Sequence, residues 1–94
     1  MLDRLTRIRA RRATKAEILR FHTEEYHDRI EKESKTPGGG DGGELARFAE
    51  GGYDIALLSA GGLLAAVEAL IRREIDNAYC LIRPPGHHAV ANKG

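Results

Sequence analysis

The run Ala78-Tyr79-Cys80-Leu81-Ile82 is almost continuously apolar and ends on Arg83-Pro84-Pro85-Gly86. An unbroken apolar run of this length fits a strand covered on both faces, as in a parallel sheet. Its backbone N–H and C=O groups need partners, yet no second convincing strand stands elsewhere in the 94 residues. The run therefore predicts a strand whose pairing calls for chain outside this sequence. Pro84 and Pro85 fix φ and remove two N–H donors, which ends the strand.

A second segment makes the same demand. Tyr53 to Glu74 has the spacing of one long helix. Leu57, Leu64, Ile71 and Ile75 fall on one side, and Ile55, Leu58, Gly62, Ala66 and Ala69 on nearly the opposite side. A helix apolar on two faces is normally buried on two faces, and this chain offers too few other elements to cover both. Gly61-Gly62 in its middle costs roughly 1 kcal/mol per glycine against alanine. That cost is tolerable where a missing side chain lets another backbone approach.

Ahead of these lie two shorter helices. Thr14 followed by Glu17 is a capping box, with Ile18, Leu19 and Phe21 as a short apolar side. Thr23 is a second N-cap, with Glu24 and Glu25 in a first turn where negative charge suits the dipole. Tyr26 and Ile30 lie four apart on one face. His22 and His27 are not at one-face spacing and read as surface or capping residues. Between the helices, Thr36 to Glu44 holds five glycines and a proline in nine residues, which argues against a regular element. It lacks the Lys-Ser/Thr of a phosphate loop and no strand precedes it, so a nucleotide site is not indicated.

Arg4, Arg7, Arg9, Arg11, Arg12 and Lys15 make the start of the chain basic. No aromatics are interleaved for stacking on bases, so a solvated segment or the remnant of a helix is favoured over a nucleic-acid arm. A net charge of +1 gives no bulk drive toward nucleic acid or membrane. Hydrophobic content of 41% and charged content of 31% are ordinary for a globular chain. Cys80, alone, excludes an intrachain disulfide and reads as a buried, inert thiol. The longest uninterrupted apolar run is too short to span a bilayer, and no secretory signal is visible. These features predict a soluble cytoplasmic protein.

The chemistry-bearing feature is His87-His88. Histidine changes charge near neutral pH and is the usual general acid or base. In an extended strand two neighbours point to opposite faces, so both rings reach one centre only if the backbone bends. Gly86 permits backbone angles closed to other residues. A rigid bent loop after a strand is a common place for catalytic groups.

Arg83-Pro84-Pro85-Gly86-His87-His88-Ala89 resembles the tandem-histidine loop of the zinc-dependent histone deacetylase family. Ala13-Thr14-Lys15-Ala16-Glu17-Ile18-Leu19-Arg20-Phe21-His22-Thr23-Glu24-Glu25-Tyr26 is similar to an early stretch of that family. Gly51-Gly52-Tyr53-Asp54-Ile55-Ala56-Leu57-Leu58-Ser59-Ala60-Gly61-Gly62 resembles the family helix before the histidine strand. Order and spacing fit from about Arg4 to Gly94, and the loop is typical of the class II and bacterial branch, which includes acetylpolyamine amidohydrolases and acetoin-utilisation-like proteins.

The resemblance implies an α/β fold, a partial arginase–deacetylase-type three-layer α/β/α domain. Residues 1–94 would be its incomplete N-terminal part, giving helices plus one central-sheet strand. Its active site lies in loops at the carboxyl ends of the strands. By the resemblance His88 would be the proton shuttle, and His87 would hydrogen-bond the water or oxyanion. Gly86 would set the approach of the loop, and Asp41 is the nearest match to an acidic residue that holds the substrate backbone. Zinc would polarise an acetyl carbonyl and activate water. Its ligands, two aspartates and a histidine, come from later strands, so no metal ligand is expected in this chain, and no activity from it alone. The substrate class is an acetylated amine or lysine. Alternatives are a non-catalytic helical interaction module, or half of a split deacetylase that meets a complementing C-terminal half. Self-association is also expected, because two apolar faces and an open strand edge lack cover.

Overall fold

The computed structural model describes residues 5–43 and 46–94. Arg4 of the basic start and Glu44 of the glycine-rich stretch lie outside them. The elements are α1 (Lys15–Ile18), α2 (Glu24–Ser34), β1 (Gly40–Asp41), β2 (Arg47–Phe48) and α3 (Gly52–Ile71).

Local chemistry sets the helix starts. Thr14 Oγ1 accepts the Glu17 N–H, and the Glu17 carboxylate accepts the Thr14 N–H, so the capping box closes on both sides. Thr23 Oγ1 accepts the Tyr26 N–H at the head of α2. The N-cap of α3 is Gly51, which has no side chain to offer. That end is capped from α2, where buried Ser34 accepts the Tyr53 N–H through Oγ at 3.0 Å.

The predicted helix over Tyr53–Glu74 ends earlier, at Ile71. Arg73 takes φ +60 there. Its N–H donates to the Leu70 carbonyl, and that of Glu74 reaches back to Ala69. This is a Schellman-type stop with arginine in the left-handed position where glycine is usual.

Residues 6–14 form an irregular strap along α3 rather than a helix. The Ala13 N–H donates to the Leu57 carbonyl at 2.9 Å. A Cβ on Gly61 would stand 1.6 Å from the Arg11 carbonyl oxygen, so this glycine is what admits the strap. Two of the four arginines here are spent internally. Arg11 pairs with Glu17 and Glu68, and Arg12 pairs with Asp54.

The two apolar faces predicted for α3 need redrawing. Its buried residues are Leu57, Ser59, Gly61, Ala65, Ala66 and Ala69, most of them small. Leu63, Val67 and Ile71, four apart, form a bare apolar stripe, with Ile71 75% exposed. Gly61 faces the strap and lets it come close, and Leu57 is the one bulky side chain among the buried residues of the helix.

Three further expectations are corrected. Ala78–Ile82 is not a strand here. Tyr79 and Leu81 are 88% and 86% exposed, while Cys80 and Ile82 are partly covered. A strand exists only by pairing, and no described segment pairs with this one. Cys80 is accordingly half-buried rather than buried. The glycine-rich stretch does contain a regular piece, since Gly40 and Asp41 pair antiparallel with Phe48 and Arg47. Glycine weakens a ladder without forbidding it.

The bilayer estimate also changes. Counted by average hydropathy rather than by uninterrupted run, α3 is long and apolar enough to cross a membrane, at 20 residues and a mean hydropathy of 1.8. Six of its residues, mostly small, are buried against the rest of the chain.

Candidate functional site

The tandem histidines lie on a turn that α3 and α2 hold from opposite sides. Gly86 has φ +79, a conformation that favours glycine. The Ala89 N–H donates to the Gly86 carbonyl at 2.9 Å, which closes a β-turn with His87 and His88 at its centre. The bend brings the two rings together. Their centroids are 4.2 Å apart with planes inclined at 46°, and both residues are exposed.

Ahead of the turn, Ser59 Oγ of α3 donates to the Pro84 carbonyl at 2.6 Å. Behind it, the Thr23 N–H donates to the Ala91 carbonyl at 2.9 Å, and His22 Nδ1 stands 3.3 Å from the same oxygen. The Tyr26 hydroxyl donates to the Gly94 carbonyl at 3.1 Å, and the Gly94 N–H donates to the Gly42 carbonyl at 2.9 Å. Burial pushes the Tyr26 phenol up from its ordinary range, which keeps it a donor at neutral pH.

A cleft of about 260 Å³ opens beside this turn, lined by Arg83 through Ala89 together with Tyr26, Gly42 and Phe48. Gly86, His87 and His88 are thus gathered at one cleft. Asp41 is not among its lining residues. Its carboxylate accepts the Gly43 N–H at 2.9 Å, and its carbonyl accepts from Arg29 at 3.0 Å. An adjoining cavity of about 190 Å³, which shares Pro84, Pro85 and Gly86 with the cleft, is lined by His22, Tyr26, His27, Tyr53 and Ser59.

His27 is not the surface residue expected of it, for it is 2% exposed. Nδ1 lies 2.8 Å from an Asp28 oxygen and Nε2 lies 2.8 Å from the Tyr53 hydroxyl. Each ring nitrogen has a partner, which is what permits a buried imidazole. Hydrogen bonding to His27 first, and then to Lys15, holds the Asp28 carboxyl below its ordinary range. Burial pushes the Tyr53 phenol up, with the Glu31 charge adding to it. His27 lies one residue from the Tyr26–Ile30 face, which hides its burial from a periodicity count. Ser59 was equally missed, and its one signal is a serine inside the apolar run Ala56-Leu57-Leu58-Ser59-Ala60.

Zinc does not fit the residues at hand. Among the described residues no group of three His, Cys, Asp or Glu side chains could hold a metal ion. The tandem histidines are two imidazoles without a third donor beside them.

The model of the histone deacetylase domain matches residues 1–94. A histone deacetylase-like amidohydrolase of Pseudomonas aeruginosa is 43% identical over 81 residues, covering 86% of this chain and 21% of that protein. A protein of Archaeoglobus fulgidus called "probable deacetylase" is 40% identical over 87 residues, 93% of this chain and 24% of its own length. The polyamine deacetylase HDAC10 of Danio rerio is 36% identical over 98 residues, 95% of this chain and 14% of its own length. The chain thus spans a quarter or less of the length of these relatives. Since the family's model reaches from the first residue to the last, the chain belongs to the histone deacetylase family.

Proposed function

We propose that this chain carries the tandem-histidine wall of an active site that hydrolyses N-acetyl amides, and that it is the N-terminal part of a three-layer deacetylase domain. The observation that carries this reading is the β-turn at Gly86–Ala89, which puts His87 and His88 side by side at a cleft. His88 takes a proton from the attacking water and returns one to the leaving amine. His87 hydrogen-bonds the water and the developing oxyanion. General acid–base groups of this kind contribute about a hundredfold to ten-thousandfold. Gly86 sets the path of the loop, and Asp41, which does not line this cleft, holds the backbone of the substrate once the rest of the pocket is in place.

Acetyl-lysine and acetylpolyamine are the substrate classes, in keeping with relatives named as amidohydrolase and polyamine deacetylase. The zinc of the complete domain belongs to residues outside this chain, so the chain alone is inactive. A complementing C-terminal half covers the stripe Leu63, Val67 and Ile71 and pairs with Ala78–Ile82; without it these surfaces favour self-association. A cytoplasmic location goes with this reading. The bare stripe also suits a second reading, a non-catalytic module that docks a partner through the same face.

The test is to assay the purified chain on acetyl-lysine and acetylpolyamine with added zinc, then to repeat the assay with the segment joined to the downstream part of the Pseudomonas relative. No turnover alone and zinc-dependent turnover when joined is the expected result. Turnover by the chain alone, abolished by a chelator, sinks the reading of incompleteness. A joined protein that folds, holds zinc and stays inactive leaves the docking module standing instead.

A further inference from the structure

We propose that Ser59 is a positioning residue for the His87–His88 turn, anchoring it to α3 through the Pro84 carbonyl. The inference rests on reading that turn as part of a catalytic site.

Neither histidine ring makes a hydrogen bond among the described residues, so the rings are placed by their backbone. Immediately upstream stand Pro84 and Pro85, which have no N–H to give. This part of the loop can be fastened to the body only through carbonyls, and a carbonyl needs a donor. The surface it faces is α3, whose interior N–H groups are already used within the helix. A side-chain donor is therefore required, and the neighbouring α3 residues Ala56 and Ala60, which line the same cavity as Pro84 and Pro85, have none.

Ser59 supplies it. The residue is 7% exposed, and a buried serine in a helix ordinarily turns its hydroxyl back to a carbonyl of its own helix. Here Oγ instead donates out of the helix, to Pro84 O at 2.6 Å. Among the described residues it is the only hydrogen bond to residues 83–85. Downstream the loop is held separately, by the Thr23 N–H on Ala91. The turn thus spans two anchors, and Ser59 is the one next to Gly86, where the chain bends. With Ser59 gone, the downstream anchor still holds residue 91, while the Gly86–Ala89 turn is freed at its near end.

The deciding experiment follows the chain itself by NMR. Ser59→Ala removes the donor without adding bulk. Ser59→Thr keeps the hydroxyl. Loss of one such bond should speed exchange of the Ala89 amide about two- to tenfold in Ser59→Ala, and merge the His87 and His88 ring resonances toward free-peptide positions. Protection of the Ala13 amide, which reports the strap on α3, should be unchanged. Ser59→Thr should restore both signals. An Ala89 amide that exchanges at the parent rate in Ser59→Ala overturns the proposal, as does loosening of Ala13 to the same degree. In the joined protein, Ser59→Ala should lower kcat and spare KM. If His88→Ala proves harmless there, the catalytic reading falls, while the exchange data still decide what Ser59 holds.

Discussion

The Nε2 atom of His27 in α2 lies 2.8 Å from the hydroxyl oxygen of Tyr53 in α3, and the two rings meet edge to face at 5.4 Å. This pair ties the helix that holds the far side of the histidine turn to the helix that holds its near side. Removing either partner leaves a polar group of the other without its bond, which costs about 1–3 kcal/mol when buried. His27→Ala should cost more than Tyr53→Phe, because it also opens space around a residue that is almost fully enclosed. The double variant should lose less than the sum, with a coupling of about 0.5–3 kcal/mol. Protection of the Tyr53 amide, which Ser34 caps, is the measurement. Additive losses would show that the two rings do not act together.

The adjacent glycines of α3 give opposite expectations from the same chemistry. At Gly61 a Cβ would strike the Arg11 carbonyl at 1.6 Å, whereas at Gly62 its nearest neighbour is Ile82 Cγ2 at 3.5 Å, an ordinary contact. Gly61→Ala should detach the strap and destabilise by about 1–3 kcal/mol, the usual cost of overpacking, with rapid exchange at the Ala13 amide. Gly62→Ala should stabilise the helix by up to about 1 kcal/mol. Equal effects of the two on Ala13 exchange would refute this placement of the strap.

These contrasts also show what can be read from a sequence of this kind. Thr14, Glu17 and Thr23 declared their helix starts because a cap is settled within three or four residues. The need for a close backbone at Gly61-Gly62 was legible from its cost in a helix interior. The bend at Gly86 was legible because two adjacent histidines cannot otherwise share a side. The stop at Arg73 was not, since neighbouring bonds hold a non-glycine residue in a glycine conformation. The burial of His27 and the reach of Ser59 depend on partners 26 and 25 residues away. Ala78–Ile82 has the composition of a strand, but composition supplies no partner for it.

Acid should loosen the strap. Hydrogen bonding to Arg11 first, and then to the Thr14 N–H, holds the Glu17 carboxyl down from 4.5 to about 2. A depressed carboxylate contributes stability that is present above its unfolded value and lost as the pH falls through the folded one. The loss should therefore develop between pH 4.5 and about 2. Glu17→Gln should be less stable than the parent at neutral pH and flatter across that window. Ala13 exchange against pH is the readout, and a parallel slope in the variant would move the acid sensitivity elsewhere, to Asp28 for instance, whose carboxyl is also held low.

The chain alone should not behave as a self-sufficient monomer. Ile71, Tyr79 and Leu81 present large apolar side chains to solvent, and residues 78–82 offer open backbone of the kind that favours association. Light scattering or sedimentation should show oligomers, and heating a broad transition. Tyr79→Ser together with Leu81→Ser should shift the population toward monomer. A sharp two-state melt from a monomeric parent would mean that these surfaces need no cover.

The last prediction separates the two histidines in the joined protein. His88→Ala should remove most turnover, by about a hundredfold to ten-thousandfold, because it deletes the proton shuttle. His87→Ala should also reduce turnover, through lost charge stabilisation and water positioning, while leaving a proton shuttle in place. The pH–rate profile distinguishes them: the limb set by the base should vanish with His88→Ala and persist with His87→Ala. His22→Ala should lower the rate by less than about threefold, since it does not line the cleft of His87 and His88 and meets the loop through the 3.3 Å contact to the Ala91 carbonyl and its packing on Tyr26. Zinc content should be the same in all three variants, because the proposed ligands lie in the downstream part and neither tandem histidine is among them. Stoichiometric loss of zinc from a folded His88→Ala protein would make His88 a ligand and end its assignment as the shuttle.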